Sequence, residues 1–288
     1  MRPMQTISGP FAIEFLSIPA GKVCVGTDKG GWIHASERPR HEVVLPEFLI
    51  MKNPLSTADA ARIMAEPEPD LDAPLDLIDS EMIDELCCRV AKEVDGEPRP
   101  PSQAEWQRAQ DVAGLNLPCN LTEILADHPT ANHRGAPLDG RPRINSENNV
   151  TIGQRVAYSC HPKKEDIVMR CVSPIDRPLP NVVFRLSISP QRKGEAVTVP
   201  EHGDLGANIR SELLWIFLIG IIPSFAIPVI RGFSVYALDG WVNLLFGGLC
   251  IGFVSGAFWR PRRPTFALDE KGNIITRSPS YPNRTPDE

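Results

Sequence analysis

LLWIFLIGIIPSFAIPVI, residues 213–230, and WVNLLFGGLCIGFVSGAFW, residues 241–259, decide the architecture, because neither run contains an Asp, Glu, Lys or Arg. At about 1.5 Å of rise per residue, each is just long enough as a helix to cross a hydrocarbon layer of about 30 Å. Pro223, Pro228, Gly247, Gly248, Gly252 and Gly256 weaken a helix in water. They are tolerated in lipid, where no water competes for the backbone hydrogen bonds. Gly248, Gly252 and Gly256 recur every fourth residue, so they share a face on which the first helix can pack closely. Trp215, Trp241 and Trp259 lie near the run ends, where aromatic rings meet headgroups. Residues 231–240 join the runs, so the helices are expected to be antiparallel. Arg192, Lys193 and Arg210 precede the first run and Arg260, Arg262 and Arg263 follow the second, against Arg231 alone in the connector. The positive-inside rule then places both termini in the cytoplasm. The competing reading is a buried helical hairpin of a soluble protein.

Outward from the hairpin, the first two thirds of the 288 residues hold most of the charge. A net charge of −6 without a basic stripe argues against nucleic acid as a partner. Seven cysteines, Cys24, Cys87, Cys88, Cys119, Cys160, Cys171 and Cys250, lack C-x-x-C spacing, so neither a zinc site nor a secreted disulfide framework is expected. Residues 1–13 lack the apolar core of a secretory signal, so the soluble part is expected to begin in the cytosol.

In that soluble part, FAIEFLSIPA and GKVCVG read as two short strands with Pro19, Ala20 and Gly21 as the turn between them. Residues 41–50 read as a strand that Pro46 confines to an edge or a bend. Residues 56–64 form a helix capped by Ser56 or Thr57, followed by an acidic, proline-rich linker. Residues 80–94 carry the clearest amphipathic stripe, Met82, Ile83, Leu86, Cys87, Val90 and Val94. Cys87 and Cys88 are taken as packing residues. Ser102 and Glu105 have the spacing of a capping box. Residues 114–149 cannot be assigned. Strands are expected at 150–160, 167–172 and 182–188, and FALDEKGNIITR reads as a hairpin turning at Lys271, Gly272 and Asn273, before a Ser/Pro end.

Several segments together resemble the formylglycine-generating enzyme, or sulfatase-modifying factor, family. FLSIPAGKVCVGTD, residues 15–28, resembles its opening strand and turn, and PRHEVVLPEF, residues 39–48, its second strand. The most specific phrase is RPPSQAEWQRA, residues 99–109, similar to the family's R-L-P-S/T-E-A-E-W-E-x-A. Met169-Arg-Cys-Val and Pro180-Asn-Val-Val-Phe-Arg-Leu186 are similar to its closing elements. The resemblance covers residues 15–186 in patches. It implies an α+β fold, an irregular C-type lectin-like domain over residues 11–190. A linker at 191–210, two transmembrane helices within 211–263 and a partly disordered cytoplasmic tail at 264–288 complete the expected organisation.

Family oxidases hold copper(I) with two cysteines five residues apart. Here Cys160 falls near the first position, but Glu165 stands at the second, and the family's G-N-V-W-E-W and R-G-G-S phrases are missing. Asp127, His128 and His133 could be imagined as metal ligands but read more simply as a solvated loop, and Cys160-His161 points to opposite faces of a strand. Glu66, Glu68, Asp70 and Asp72 read as linker. The function expected is therefore a membrane-anchored, non-catalytic binding or assembly module on the cytoplasmic face. Alternatives are an enzyme of altered oxidase or thiol chemistry using Cys160, and a subunit of a larger membrane complex acting through its hairpin. Expected partners are the lipid bilayer and an unidentified protein, with no nucleic acid, metal or cofactor.

Overall fold

The computed structural model describes residues 6–144, 153–203, 205–235 and 239–279. Its N-terminal part is built on one bent ribbon. Strands β2 (Glu14–Ile18) and β3 (Gly21–Val25) pair antiparallel with β5 (Phe48–Met51) and β4 (His41–Leu45). The register carries straight through from Phe15 opposite Met51 to Val25 opposite His41. Pro19 and Pro46 stand on adjacent rungs, and since proline has no N–H to give the ladder, the ribbon opens and bends there. Its two halves join different sheets.

The first half lies in a five-stranded sheet ordered β1-β2-β5-β11-β6, with β1 at Thr6–Ser8, β6 at Glu97–Arg99 and β11 at Ser187–Ser189. Side chains on a strand alternate between faces, and both faces of this sheet are covered. Phe15 and Met51 face a core shared with helices α1 (Thr57–Met64) and α2 (Ser80–Val90). Leu16, Ile18, Phe48 and Ile50 face a second core against α3 (Gln103–Ala113). A separate four-stranded sheet, β10-β7-β8-β9, is dominated by the hairpin of β8 (Gln154–His161) and β9 (Lys164–Pro174), with β7 at Thr122–Ile124 and β10 at Val182–Val183. The fold is thus mixed α+β with three sheets among the described residues.

Several expectations change. The single strand at 182–188 is two short strands in different sheets, because Arg185 between them is drawn out of the ladder to buried partners. Helix α2 ends at Val90 rather than at 94, and Met82 and Cys88 are exposed, while Cys87 packs on the core. Within 114–149, residues 145–149 lie outside the described residues, as do 150–152 of the expected strand and 280–288 of the expected disordered end.

The linker and tail also differ from separate segments. Val199 is fully buried with Ala136 and Leu138, and backbone bonds join Leu138 to Val197 and Val199 to Ala136. After the hairpin, β12 (Thr265–Leu268) and β13 (Ile274–Arg277) turn as expected. They then return to the N-terminal part, where β12 lies parallel to β4, in a sheet ordered β13-β12-β4-β3.

Two helices, Gly206–Ile230 and Trp241–Phe258, are long and apolar enough to cross a membrane. The first therefore begins inside the stretch expected to be linker. It widens into a π turn at Phe217–Ile221, just before Pro223, whose ring crowds the preceding turn and removes one helical N–H. Gly220 meets Gly248 backbone to backbone, so a side-chain carbon at either would collide with the opposite helix, and one at Gly252 would be tight against Ile216 at 3.0 Å. Gly247, beside them, has open space. Trp215 packs edge-on against Trp259 at 5.1 Å at one end of the pair, and Phe225 against Trp241 at 5.1 Å at the other.

Candidate functional site

The family-like phrase at 99–109 does structural work. Ser102 caps α3 and Glu105 closes the capping box, as its spacing predicts. The Glu105 carboxylate, fully buried, accepts both arms of Arg99 at 2.8 Å and the Ser189 hydroxyl at 2.6 Å. Burial pushes its pKa up, but the Arg99 charge together with the hydrogen bonds from Arg99, Ser189 and the Ser102 backbone outweighs that and holds it below the usual value. Arg185 is enclosed as completely. Its guanidinium forks onto Glu123 and donates to the carbonyls of Met51, Lys52 and Asn116, which uses all of its N–H groups.

Cys160 is buried on β8, and its thiol donates to the Leu117 carbonyl at 3.4 Å. The His161 ring instead accepts from the Lys163 backbone N–H at 3.1 Å in the β8–β9 turn, so thiol and imidazole go separate ways. A copper(I) pair needs two thiolates on one side of the hairpin. The register sets Cys160 opposite Val168 and Cys171 opposite Ala157, three rungs apart and on opposite faces. Cys171 is turned to the Ala157 carbonyl and Ser159 hydroxyl. These thiols do not fit the pair, and the side chain of Glu165 lies outside the described residues.

The residues of the unassigned loop are not solvated. Asp127, His128 and His133 are all buried, because β4 and the top of α3 fold over them. Asp127 accepts from the Arg143 and Gln103 backbone N–H groups at 2.8 and 2.6 Å. With His41 and His133 it lines a cavity of about 30 Å³, room for a water or two and too small for an organic substrate. His41 and His133 meet edge to face at 5.4 Å. Burial lowers the pKa of His41 to about 4 and that of His133 to about 3, the latter helped by His41, Arg170 and Arg143. Both rings are neutral at pH 7. The His41 Nδ1 lies 3.1 Å from the Pro39 carbonyl.

A second constellation forms where the N-terminal part meets the helix bases, and no sequence motif marked it. The loop before a short 3-10 turn, Trp32–Glu37, lies along the second helix. Trp32 packs on Phe253 at 4.7 Å, and Gly31 fits against the Ala257 and Phe258 carbonyls, where a side-chain carbon would come within 2.6 and 2.8 Å. Asp28, 4% exposed, accepts from Arg262 at 3.1 and 3.2 Å, and its carbonyl accepts from the Arg263 N–H at 2.7 Å. Glu212, at the start of the first apolar run, accepts from Arg260 at 2.7 Å. The arginine excess after the second run was the one signal in the sequence that pointed here.

No protein-family model matches the chain, and no curated protein matches it. Solved structures do. The structure of PvdO from Pseudomonas aeruginosa is similar with a TM-score of 0.49 at 15% identity, over 66% of this chain and 99% of that one. Treponema denticola variable protein 1 is similar with a TM-score of 0.40 at 12% identity, over 66% of this chain and 100% of that one.

Proposed function

We propose that this chain is a membrane-anchored module with an irregular C-type lectin-like, formylglycine-generating enzyme-like domain that works by binding rather than by oxidation, on the cytoplasmic face. The observation that carries the reading is the disposition of the two apolar helices. Only 17% and 11% of their most apolar stretches are buried inside the protein, whereas a core hairpin of a soluble protein would be mostly enclosed. Their bases are meanwhile tied to each other by Glu212 and Arg260 and held to the domain by Asp28 and Trp32. Irregular loops on a fixed core lend themselves to altered binding.

The thiol geometry supports binding over oxidase chemistry, since Cys160 is committed to a backbone carbonyl and faces away from Cys171. The test is alkaline carbonate extraction of membranes from cells expressing the full chain. The protein stays in the pellet and leaves it only with detergent; release as an aqueous monomer ends the tether. In inside-out vesicles, added protease digests the domain. Incubated with copper and a cysteine-bearing peptide, the purified protein yields no aldehyde to a hydrazide probe; aldehyde formation that Cys160→Ala abolishes would restore the oxidase reading.

A further inference from the structure

A cavity of about 460 Å³ opens between the Trp32–Glu37 turn, the start of the first apolar helix at Ala207, Asn208 and Glu212, and the segment after the second, at Arg263 and Pro264. Arg38, Arg134 and Arg263 line it, with Trp32, Asn132 and Glu212. We propose that this cavity is a binding site for a phosphate group, carried by the headgroup of an anionic phospholipid at the membrane boundary.

The argument begins with charge. Three guanidinium groups share the cavity with one carboxylate, and Glu212 is already engaged by Arg260 at 2.7 Å, leaving Arg263 at 4.0 Å from it. Arg38 and Arg134 have no carboxylate partner among the described residues; each ties one arm to a backbone carbonyl, Gly30 at 2.9 Å and Pro200 at 3.1 Å. Arg263 likewise donates to the Asn208 side chain at 2.9 Å. These single bonds fix where the guanidinium groups sit and leave N–H donors over. Burial lowers the pKa of Arg38, and Arg263 and then Arg134 lower it further against Glu212, the signature of cations gathered without enough anion. Planar guanidinium forks match phosphate oxygens, and bonds between two ionised groups are the strong ones.

Position selects the source. Glu212 immediately precedes the apolar run 213–230, and Arg263 follows closely on the run that ends at Trp259. The cavity therefore sits at the step from apolar to polar surface, where headgroup phosphates lie and basic pockets between helices hold them. Trp32 adds the amphipathic ring favoured at that depth. The phosphate chemistry follows from the cavity alone; the lipid source rests on the membrane reading above.

The test uses the full-length protein, purified in detergent and also placed in nanodiscs of phosphatidylcholine with or without phosphatidylglycerol. Native mass spectrometry reads retained lipid, and thermal unfolding in detergent with and without inorganic phosphate reads a soluble source. Wild type retains phosphatidylglycerol over phosphatidylcholine, and Arg134→Gln and Arg38→Gln each reduce that retention about tenfold, the loss of one charge-assisted pair. Arg210→Gln, at an exposed position outside the cavity, changes nothing. Stabilisation by inorganic phosphate that Arg134→Gln or Arg38→Gln removes, without lipid preference, keeps the phosphate site and overturns its lipid source. The same unfolding curves in anion-free buffer show whether either variant is misfolded, and two positions make one failure survivable. If neither anion separates wild type from a folded variant, the site is overturned. Carbonate-extractable protein would instead defeat the membrane anchor and leave the phosphate arm to decide.

Discussion

Arg185 and Glu123 are both fully enclosed, so removing one partner strands a charge in a medium that cannot solvate it. Glu123→Ala is expected to destabilise the domain by about 3–5 kcal/mol, read by chemical denaturation in detergent, and Arg185→Met with Glu123→Leu together by much less. The histidine pair gives a pH dependence whose direction is fixed. In the unfolded chain both rings take up a proton as pH falls below about 6.5, whereas the folded chain refuses it down to about 4 at His41 and about 3 at His133. The unfolded state binds more protons across that window, so stability is complete above pH 6.5 and declines as pH falls, with a limiting slope of about 1.4 kcal/mol per pH unit for each ring. His133→Gln should flatten the decline between pH 6 and 4; an unchanged slope would show that other groups govern it. Sequence could not foresee this pair. Asp127, His128 and His133 stand among Pro, Asn and Gly, a composition typical of solvated loops, and they are enclosed by the top of α3 and by β4, the latter from eighty residues or more earlier in the chain.

Elements set by local chemistry were legible. Ser102 and Glu105 are three residues apart, and the capping box needs nothing beyond that spacing; Ser102→Ala should cost about 1 kcal/mol. Pro46 bends its strand because a missing N–H acts at its own position. That β2 and β3 enter different sheets was not legible, since apolar residues on both faces of 14–18 fit any sheet covered twice. The run 182–188 is continuous in hydrophobicity, and only the buried partners of Arg185 reveal where it leaves one sheet for another. The glycine face of the second helix was legible at Gly248 and Gly252, but Gly256 turns to Arg260 and Trp32 rather than to the first helix, and Gly220 as the counterpart was not foreseen. Gly248→Leu collides with the Gly220 backbone and should separate the helices, while Gly247→Leu points into open space and should not. Disulfide formation between cysteines introduced at facing positions near the two helix ends would measure the difference; equal loss in both variants would refute the packing.

On the scale of the whole molecule, the N-terminal part and the two apolar helices share a seam. Asp28 holds Arg262 by its side chain and Arg263 by its backbone carbonyl, so Asp28→Ala should loosen the strand end without touching either core. Trypsin provides the readout. Arg260 and Arg263 each precede a proline and resist it, leaving the Arg262–Arg263 bond as the reporter. The variant should be cut there several times faster than wild type; identical digestion would mean that the seam holds without Asp28.

The parallel contact of β12 with β4 fixes an order of events. A ribosome delivers β12 only after both apolar segments have been made, so until then the leading end of β4, at Arg40 and His41, keeps its outer flank unzipped. Leu138 already covers Val44 further along, but the free main-chain groups at that leading end are on offer to any passing strand. Synthesis therefore imposes a waiting period on the domain, and a nascent chain stalled before residue 264 should be recognised by chaperones as unfinished even though most of its core residues have already emerged.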